Sequence, residues 1–549
     1  MADLSYISCP NTAYIRYMSI PDVLQERTNE APEKEICVQR FVGGGRRSLT
    51  YAELLNRSTY IAKYLTARGI VPGDCVAIIG LNSIEWIIGE FAIFLTGAVA
   101  LQVNKTDESF VETMKLLKST QSKAVLLDPE SDEKYISDLE AYFTIEESPK
   151  EKPIVMLLHK SALSSLPSMA EVKLTAEEEV IALPRIQPES SAFIFTTSGS
   201  TGVPKMVEMT HLSVVNASYI PFAGTGGDMP YGTCYNDRPF SWSGGTPIYS
   251  ILNGNKRVFV DTAIGMKKEN IMLIWDIIMA EKCTNAVFLP YALVDIIANL
   301  DAILKHGYIM YSIITGSQNI GSHLTEMCGK CTKKFFMNYG CTEVGDMCVI
   351  ELTPKMEEGN VGSLFPGYEV KVIGVNCETL HREQLGEILV RSPWMLKSYR
   401  NAPELSTASF VDGGWFRTGD IGIITTDGKL FVKGKSNDVI KRGGLKVLTS
   451  VVEAAMYKLP CVREVVVISV PDKRLFEEVC ACYILKDYVN ASEDELDQKC
   501  RAILGDNVLG STPTYFLRFD AFPRLSNGKT NRTRVKTQAL GRLELDLIQ

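Results

Sequence analysis

The sequence lacks the features of membrane, secreted and nucleic-acid-binding proteins. Its longest predominantly apolar stretch, Phe91–Val103, is shorter than the ~20 residues that a membrane span needs, and we interpret it as a core helix. Its first residues, Met-Ala-Asp-Leu-Ser, lack the basic-then-apolar pattern of a secretion signal. Basic residues are not in excess, since 57 lysines and arginines accompany 65 acidic residues. This balance argues against nonspecific binding to duplex DNA, and it leaves open a local basic patch.

The sequence also lacks organelle-targeting signals and the ligand spacing of a metal site. The start of the chain is not Arg-rich like a transit peptide, and the final Leu-Ile-Gln is not a peroxisomal address. The 14 cysteines in a long chain without a secretion signal are typical of reduced thiols, so we expect a cytoplasmic location. Cys328-Gly-Lys-Cys331 has no matching second pair, and the five histidines form no ligand spacing. We therefore expect these two cysteines to be core residues and not a zinc or redox site.

The patterns that are present predict a large α/β protein. A length of 549 residues is several times the ~100–200 of one domain, and 46% hydrophobic with 22% charged residues is a globular composition. Strand-like runs such as Cys75–Ile79 and Ala192–Phe195 alternate with helical patterns such as Tyr51–Arg68. This alternation indicates α/β layers with substantial parallel sheet.

The composition changes near residue 436, where a polar segment containing glycines follows the strand-like Leu430–Val432. Beyond it, a helical pattern, two alternating strands and a second helix form an independent unit. We predict an N-terminal domain of layered α/β subdomains over residues 1–436. We also predict a small, mobile α+β C-terminal domain over residues 437–549, joined at a hinge.

The strongest chemical motif is Thr196-Thr-Ser-Gly-Ser-Thr-Gly-Val-Pro-Lys205, which follows the apolar run Ala192–Phe195. Glycines allow the backbone to curl around an anion, hydroxyl groups donate hydrogen bonds, and the lysine supplies positive charge. Gly199 and Gly202 are too close together for a Walker loop. A flexible linker would not follow a buried strand and end in Pro-Lys, so we predict a phosphate-binding loop.

Further motifs follow this loop along the chain, and together they resemble the adenylate-forming superfamily. That superfamily contains acyl- and aryl-CoA synthetases, beetle luciferases and the adenylation domains of peptide synthetases. The resemblance covers about residues 10–535, and the region around Ser5-Tyr6 and Ile20–Pro32 looks most like animal medium-chain acyl-CoA synthetases. The matching motifs are Tyr339-Gly-Cys-Thr-Glu343, Gly386-Glu-Ile-Leu-Val-Arg391, Gly414-Trp-Phe-Arg-Thr-Gly-Asp420, Lys441 with Gly443-Gly444, and Ser526-Asn-Gly-Lys529-Thr-Asn-Arg532.

The resemblance implies a ligase that uses ATP, Mg²⁺ and CoA. A carboxylate would attack the α-phosphate of ATP to give an acyl-adenylate, and CoA would then displace AMP. The predicted partners are therefore a small carboxylic acid, fatty or aryl, together with ATP and CoA, and no nucleic acid. Two alternatives remain open at this point: a luciferase-like enzyme that oxidises the adenylate, and a nucleotide-binding relative without catalysis.

The resemblance also implies roles for individual residues. Thr342 would donate to the α-phosphate, Glu343 would ligate Mg²⁺, and Asp420 would bind both ribose hydroxyls. Lys529 would reach the acyl carboxylate and the α-phosphate during adenylation. The implied catalytic residues are Lys529, Thr342, Lys205 and Lys441. The implied nucleotide-binding residues are Thr197, Ser198, Gly199, Ser200, Thr201, Gly202, Lys205, Gly316, Ser317, Gln318, Tyr339, Gly340, Thr342, Asp420 and Lys435.

The remaining implied positions concern the acid, CoA and the hinge. They are Ser241, Trp242, Gly245 and Asp346 for the acyl pocket, Lys441, Gly443 and Gly444 for CoA, and Asn437 for the hinge. Ser241 stands where peptide synthetases have the aspartate that pairs with an α-ammonium, so we expect an acid without an α-amino group. Asp346 would either receive a polar or cationic group of the acid or face solvent or a backbone amide. Lys435 replaces the family's arginine and so lacks its planar fork.

Overall fold

The structure of the protein is a computed structural model that describes most of the chain. The described residues are 3–10, 15–103, 110–129, 137–138, 153–161, 164, 166–197, 205–219, 232–265, 267–316, 322–357, 359–396, 398–436, 439–442, 445–487, 491–504, 511–524 and 530–545. Among the helices of this part of the chain, none has the length and apolar character needed to cross a membrane.

Strands and helices alternate over most of this length. The strands are β1 (Tyr6–Ser8), β2 (Glu35–Arg40), β3 (Arg46–Thr50), β4 (Cys75–Ile79), β5 (Val99–Val103), β6 (Ala124–Leu127), β7 (Ile154–Leu157), β8 (Ser191–Thr197), β9 (Lys205–Thr210), β10 (Thr233–Tyr235), β11 (Lys256–Phe259), β12 (Asn285–Val287), β13 (Met310–Gly316), β14 (Thr332–Cys341), β15 (Gly345–Glu351), β16 (Ser363–Leu364), β17 (Glu369–Ile373), β18 (Gly386–Arg391), β19 (Phe410–Val411), β20 (Trp415–Ile424), β21 (Leu430–Lys435), β22 (Val439–Arg442), β23 (Leu445–Leu448), β24 (Val462–Asp472), β25 (Phe476–Leu485) and β26 (Tyr515–Arg518). The helices are α1 (Ile20–Glu30), α2 (Tyr51–Ala67), α3 (Ile84–Thr96), α4 (Phe110–Thr120), α5 (Ala176–Glu179), α6 (His211–Ala217), α7 (Ile248–Asn253), α8 (Thr262–Gly265), α9 (Ile271–Ala280), α10 (Pro290–Ala298), α11 (Leu300–Lys305), α12 (Ser322–Cys328), α13 (Pro403–Ser409), α14 (Thr449–Tyr457), α15 (Glu493–Leu504) and α16 (Arg532–Leu543), with a 3₁₀ turn at Lys268–Asn270.

The larger of two compact units comprises Ser8–Glu369 and Val390–Phe416, and two sheets with α-helical connections form its frame. One sheet has the order β7-β6-β4-β5-β8-β9 and is parallel except for the β8–β9 hairpin. The other has the order β16-β15-β14-β13-β12-β10-β11-β2-β3, with a parallel centre from β14 to β2. The prediction of α/β layers with parallel sheet is therefore confirmed.

The prediction of one core helix over Phe91–Val103 is wrong in its second half. Helix α3 ends at Thr96, and β5 begins at Val99. Gly97 lies between them with a positive φ of 76°, a conformation that glycine adopts without strain and that commonly ends helices. Both elements are buried almost completely, so the apolar run is core but contains a turn that periodicity alone does not reveal.

The smaller unit comprises Met1–Ile7, Val370–Leu389 and Arg417–Gln549. It contains strands β17, β18, β20 and β21 and a second sheet of order β23-β22-β25-β24, with β26 paired to β25. Apolar side chains fill both faces of this second sheet, including Val467 and Ala481 on one face and Cys480 and Cys482 on the other. The small α+β unit is therefore confirmed, while its predicted boundary at residue 436 stays a prediction.

Candidate active site

The predicted phosphate loop connects two paired strands of the larger unit. Thr197 at the end of β8 and Lys205 at the start of β9 are direct partners in the antiparallel ladder. Residues Ser198, Gly199, Ser200, Thr201 and Gly202 of the loop lie outside the described residues. Strand β8 is parallel to β5, so the loop leaves the carboxyl end of a parallel strand, where α/β sheets commonly bind ligands.

Lys205 and Glu343 lie on either side of Tyr399. The Lys205 Nζ lies 5.5 Å from the centre of the Tyr399 ring, and the Tyr399 hydroxyl donates to Glu343 Oε1 at 2.9 Å. Burial raises the pKa of Tyr399, and the charge of Glu343 and its hydrogen bond to the hydroxyl raise it further. Tyr399 thus remains a protonated donor that orients the Glu343 carboxylate. The sequence motifs did not identify Tyr399.

Backbone contacts fix this arrangement. The Arg400 N–H donates to Met206 O at 2.9 Å, and Tyr399 forms a bridge with Val207 of β9. The Leu396 N–H donates to Glu343 O at 2.8 Å. The segment around residue 399 therefore links the start of β9 to the turn that carries Glu343.

The Glu343 carboxylate fits a magnesium ion. Its Oε1 accepts from Tyr399, whereas Oε2 accepts no hydrogen bond from any described residue. No group of three or more His, Cys, Asp or Glu side chains suited to a metal occurs within the described ranges. Mg²⁺ is commonly held by one or two carboxylates together with water and substrate phosphates, so a single carboxylate near a phosphate loop is an appropriate protein ligand.

Tyr339, Gly340 and Thr342 lie where β14 turns into β15. The ladder between these strands shifts register between Tyr339 and Gly340. A Cβ on Gly340 would lie 2.1 Å from Gly345 O, so only glycine allows this close approach. The hydroxyl oxygens of Thr342 and Ser243 are 3.5 Å apart. Thr342 therefore lies beside the acyl segment, residues 236–245, which contains most of the predicted acyl-pocket residues.

Gly316 lies at the carboxyl end of the neighbouring parallel strand β13, opposite Asn338 of β14. The ends of these two strands therefore meet at one edge of the sheet, as expected of an α/β ligand site. Ser317 and Gln318, which are also among the predicted nucleotide-binding residues, lie outside the described residues.

The predicted acyl segment is a tight turn that is held from both sides. The Asn82 amide donates to the carbonyls of Asp237 and Arg238, and its Oδ1 accepts from the Phe240 N–H at 2.8 Å. Arg257 Nε donates to Asn236 O at 2.5 Å, and its Nη2 donates to Gly245 O at 2.7 Å. Neither Asn82 nor Arg257 was identified from the sequence, because their partners lie far along the chain.

Within this turn, Ser241 is buried and Trp242 is half-buried. A Cβ on Gly245 would lie 1.9 Å from Pro239 O. Gly245 is therefore required by the backbone of the turn itself, which is a reason that the motif comparison did not supply.

Asp346 on β15 accepts a hydrogen bond from the Asn338 side-chain amide at 2.8 Å. Its carboxyl is accessible to solvent, yet the surrounding protein raises its pKa by desolvation, while the Asn338 amide and the charge of Arg238 lower it. The Asp346 carboxyl group therefore has one described hydrogen-bond partner, Asn338, and lies within electrostatic range of the Arg238 guanidinium.

In the smaller unit, Asp420 and Lys435 are partners across β20 and β21. Lys435 Nζ lies 2.8 Å from Asp420 Oδ1, and the Asp420 N–H donates to the Thr418 hydroxyl oxygen at 3.0 Å. Asp420 is buried, whereas Lys435 is about half exposed. The lysine thus directly neutralises the predicted ribose-binding carboxylate.

The other predictions in the smaller unit fall mostly outside the described residues. Lys441 lies on β22, but Asn437, Gly443, Gly444 and Lys529 are not described. The segment that carries Lys529 is closed at its base. There, Arg524 bridges Thr530, and the Asn531 N–H donates to Pro523 O at 2.8 Å.

Comparison with known proteins agrees with this geometry. Residues 24–400 match the model of the AMP-binding enzyme family, and residues 451–529 match that of the AMP-binding enzyme C-terminal domain. A long-chain-fatty-acid–CoA ligase of Mycobacterium tuberculosis is 28% identical over 94% of this chain and 97% of its own. The mitochondrial medium-chain acyl-CoA ligase of Mus musculus is 24% identical over 99% and 91%.

A solved structure shares the fold. ATP-bound MatB from Rhodopseudomonas palustris superposes with a TM-score of 0.80 at 22% identity, covering 95% of this chain and 99% of MatB. The first family model alone spans more than half of the 549 residues, so the resemblance inferred from the motifs is confirmed. The chain belongs to the AMP-binding, or adenylate-forming, enzyme family.

Proposed function

We propose that this protein is an acid–thiol ligase that converts a carboxylic acid, ATP and CoA into acyl-CoA, AMP and pyrophosphate. The observation that carries the proposal is the convergence of Lys205, Tyr399 and Glu343 at the base of the phosphate loop. Thr342, next to Glu343, lies beside Ser243 of the acyl segment. The larger unit thus brings phosphate-binding and acid-binding elements together around one turn.

The chemistry needs this proximity. A carboxylate is a poor acyl donor because its leaving group would be oxide, so it first attacks the α-phosphate and pyrophosphate leaves. Negative charge develops on the phosphoryl oxygens, and fixed donors and cations stabilise it. Thr342 donates to the α-phosphate and Lys205 supplies positive charge at the outer phosphates. When bound, Mg²⁺ on Glu343 neutralises further phosphate charge.

The smaller unit supplies the remaining groups of the proposal. Asp420 binds the ribose hydroxyls, and Lys435, its ion-pair partner, orients this carboxylate. Lys529 contacts the acid and the α-phosphate in the adenylation step. Lys441, Gly443 and Gly444 accommodate CoA in the second step, where close backbone approach requires glycine.

The acid lacks a free α-amino group. Ser241 occupies the position of the carboxylate that would pair with an α-ammonium, and it is buried. Burying an ammonium group without a counter-ion at this position would cost several kcal/mol. A hydrogen bond to the Ser241 hydroxyl would recover less free energy than that. Fatty and aryl acids meet this requirement.

ATP–pyrophosphate exchange with a panel of acids, with and without CoA, tests the proposal. Exchange followed by CoA-dependent formation of acyl-CoA supports the ligase. Light emission or oxygen uptake with a luciferin would favour the oxygenase alternative, and the absence of exchange with every acid would contradict the proposal.

The role of Lys529 has a separate test. Lys529→Ala should slow adenylation by a factor of about 10²–10³, as expected when a contact to a charged transition state is lost. Formation of the thioester from supplied acyl-adenylate should continue at the normal rate. Equal loss of both steps would contradict an adenylation-specific role.

A further inference from the structure

Within the described residues, the guanidinium of Arg238 has no hydrogen-bond or ion-pair partner. Its Nε is buried without a hydrogen bond, and its side chain makes no hydrogen bond or ion pair with any residue that the structure describes. The buried Arg257, by contrast, donates from both Nε and Nη2. A buried N–H donor without an acceptor is costly, so the unsatisfied Nε of the partly buried Arg238 beside the acyl segment requires a physical reason.

The position of Arg238 is well defined. Its N–H donates to Asn236 Oδ1 at 3.1 Å, and its carbonyl accepts from the Asn82 amide at 2.9 Å. On the exposed side, a Cβ on Gly244 would lie 3.2 Å from Arg238 Nη1. Glycine at residue 244 therefore leaves room for the guanidinium at the solvent-accessible face of the turn.

The nearest carboxylates have other partners. Asp346 Oδ2 accepts from the Asn338 amide at 2.8 Å, and Asp237 Oδ2 accepts from the Tyr235 hydroxyl at 2.9 Å. Both charges act on Arg238 through space, but within the described residues neither forms an ion pair with it. In the part of the chain that the structure describes, the guanidinium donors therefore reach no acceptor.

We propose that Arg238 determines substrate specificity by binding a second carboxylate, so that the preferred substrate is a dicarboxylic acid activated at one end. This inference rests on the proposed ligase function. A carboxylate matches the planar fork of arginine with two parallel hydrogen bonds. An alkyl end would leave the guanidinium without a partner, and an ammonium end would repel it.

The test compares acids of equal carbon number that carry a terminal methyl, hydroxyl, ammonium or carboxylate group, over several chain lengths. For the wild-type enzyme, kcat/KM in ATP–pyrophosphate exchange should be highest with the diacid. Arg238→Met should lower the ratio of diacid to monoacid kcat/KM by about 10- to 100-fold, as expected for loss of a charged hydrogen bond. Arg238→Lys should restore part of this ratio.

Arg185→Met is the matched control, because Arg185 is an exposed arginine of the same unit, and it should leave the ratio unchanged. Wild-type preference for the methyl-terminated acid, or an unchanged ratio in Arg238→Met, would overturn the inference while leaving the ligase function intact. Best turnover of the ammonium-terminated acid, lost in Asp346→Asn, would assign the recognition to Asp346 instead. Exchange with no acid at all would contradict the ligase function itself.

Discussion

Two arginines at the acyl segment, the buried Arg257 and the partly buried Arg238, differ in what they contact. Arg257 on β11 uses its donors on the carbonyls of Asn236 and Gly245, and burial lowers its pKa only to about 10, so it stays charged. The Arg238 side chain, three residues beyond the end of the neighbouring strand β10, donates to no described acceptor. The comparison contrasts a charged side chain within the sheet, which holds the backbone of the acyl segment, with a charged side chain at the carboxyl edge, to which we assign a ligand.

The largest expected effect concerns this pair of arginines. Arg257→Met leaves two buried carbonyls without donors, so the free energy of unfolding should fall by roughly 2–6 kcal/mol, at about 1–3 kcal/mol for each. Arg238→Met removes a partly buried guanidinium without a partner among the described residues, and it should change the free energy of unfolding by less than about 1 kcal/mol. Urea denaturation followed by tryptophan fluorescence measures both, because all five tryptophans lie in the larger unit: Trp86, Trp242, Trp275, Trp394 and Trp415. Equal destabilisation by the two substitutions would show that Arg257 and Arg238 do not differ in their contribution to stability.

A carboxylate at the edge should affect activity and not stability. Glu343→Gln should reduce ATP–pyrophosphate exchange by about 10²–10³-fold, the loss typical of one charged transition-state contact. Glu351→Gln, on the exposed end of the same hairpin, is the control and should have no effect on exchange. Unchanged exchange in Glu343→Gln would show that Glu343 is not the magnesium ligand.

A buried carboxyl group in the interior should make stability depend on pH. Glu90 is completely buried, accepts one hydrogen bond from Gln102 at 2.9 Å, and has its pKa raised by burial to about 8 from 4.5. Between these values the folded protein holds a proton that the unfolded chain releases. Stability should therefore fall as the pH rises, by at most about 1.4 kcal/mol per unit.

Glu90→Gln should remove this decrease, as measured by urea denaturation at several pH values between 5 and 8. Glu112→Gln, on the exposed side of α4, should leave it in place. An equal pH dependence of the free energy of unfolding in wild type and Glu90→Gln would contradict the conclusion that Glu90 causes the decrease.

The smallest expected effect is that of a hydrogen bond at the edge. Tyr399→Phe removes the donor to Glu343 and should lower exchange about fivefold, since a hydrogen bond of this kind contributes about 1 kcal/mol. Tyr17→Phe removes a similar hydrogen bond to Glu189 at the surface and should not change exchange. A lower free energy of unfolding without a lower exchange rate would show that Tyr399 stabilises the fold and does not contribute to catalysis.

Much of the fold could be predicted locally. The strand at Cys75–Ile79 has the predicted bounds, and the helix predicted over Tyr51–Arg68 spans Tyr51–Ala67, because alternation and helical periodicity are properties of short segments. The buried, free Cys328 and Cys331 also agree with the prediction of core residues. The run Phe91–Val103 was misread because uniform apolar composition does not distinguish a buried helix from a buried strand.

The sequence by itself determined the family of this protein, because the ordered motifs from Thr196 to Lys529 are short local patterns that are typical of the chemistry of this family. Tertiary structure alone decided what those motifs contact. Tyr399 reaches Glu343 across 56 residues, and Asn82 holds the turn at Phe240 across 158. Pairings this distant depend on how strands are ordered in the sheets, which no local pattern encodes. The lack of a described partner for the Arg238 side chain is a property of its surroundings in space for the same reason.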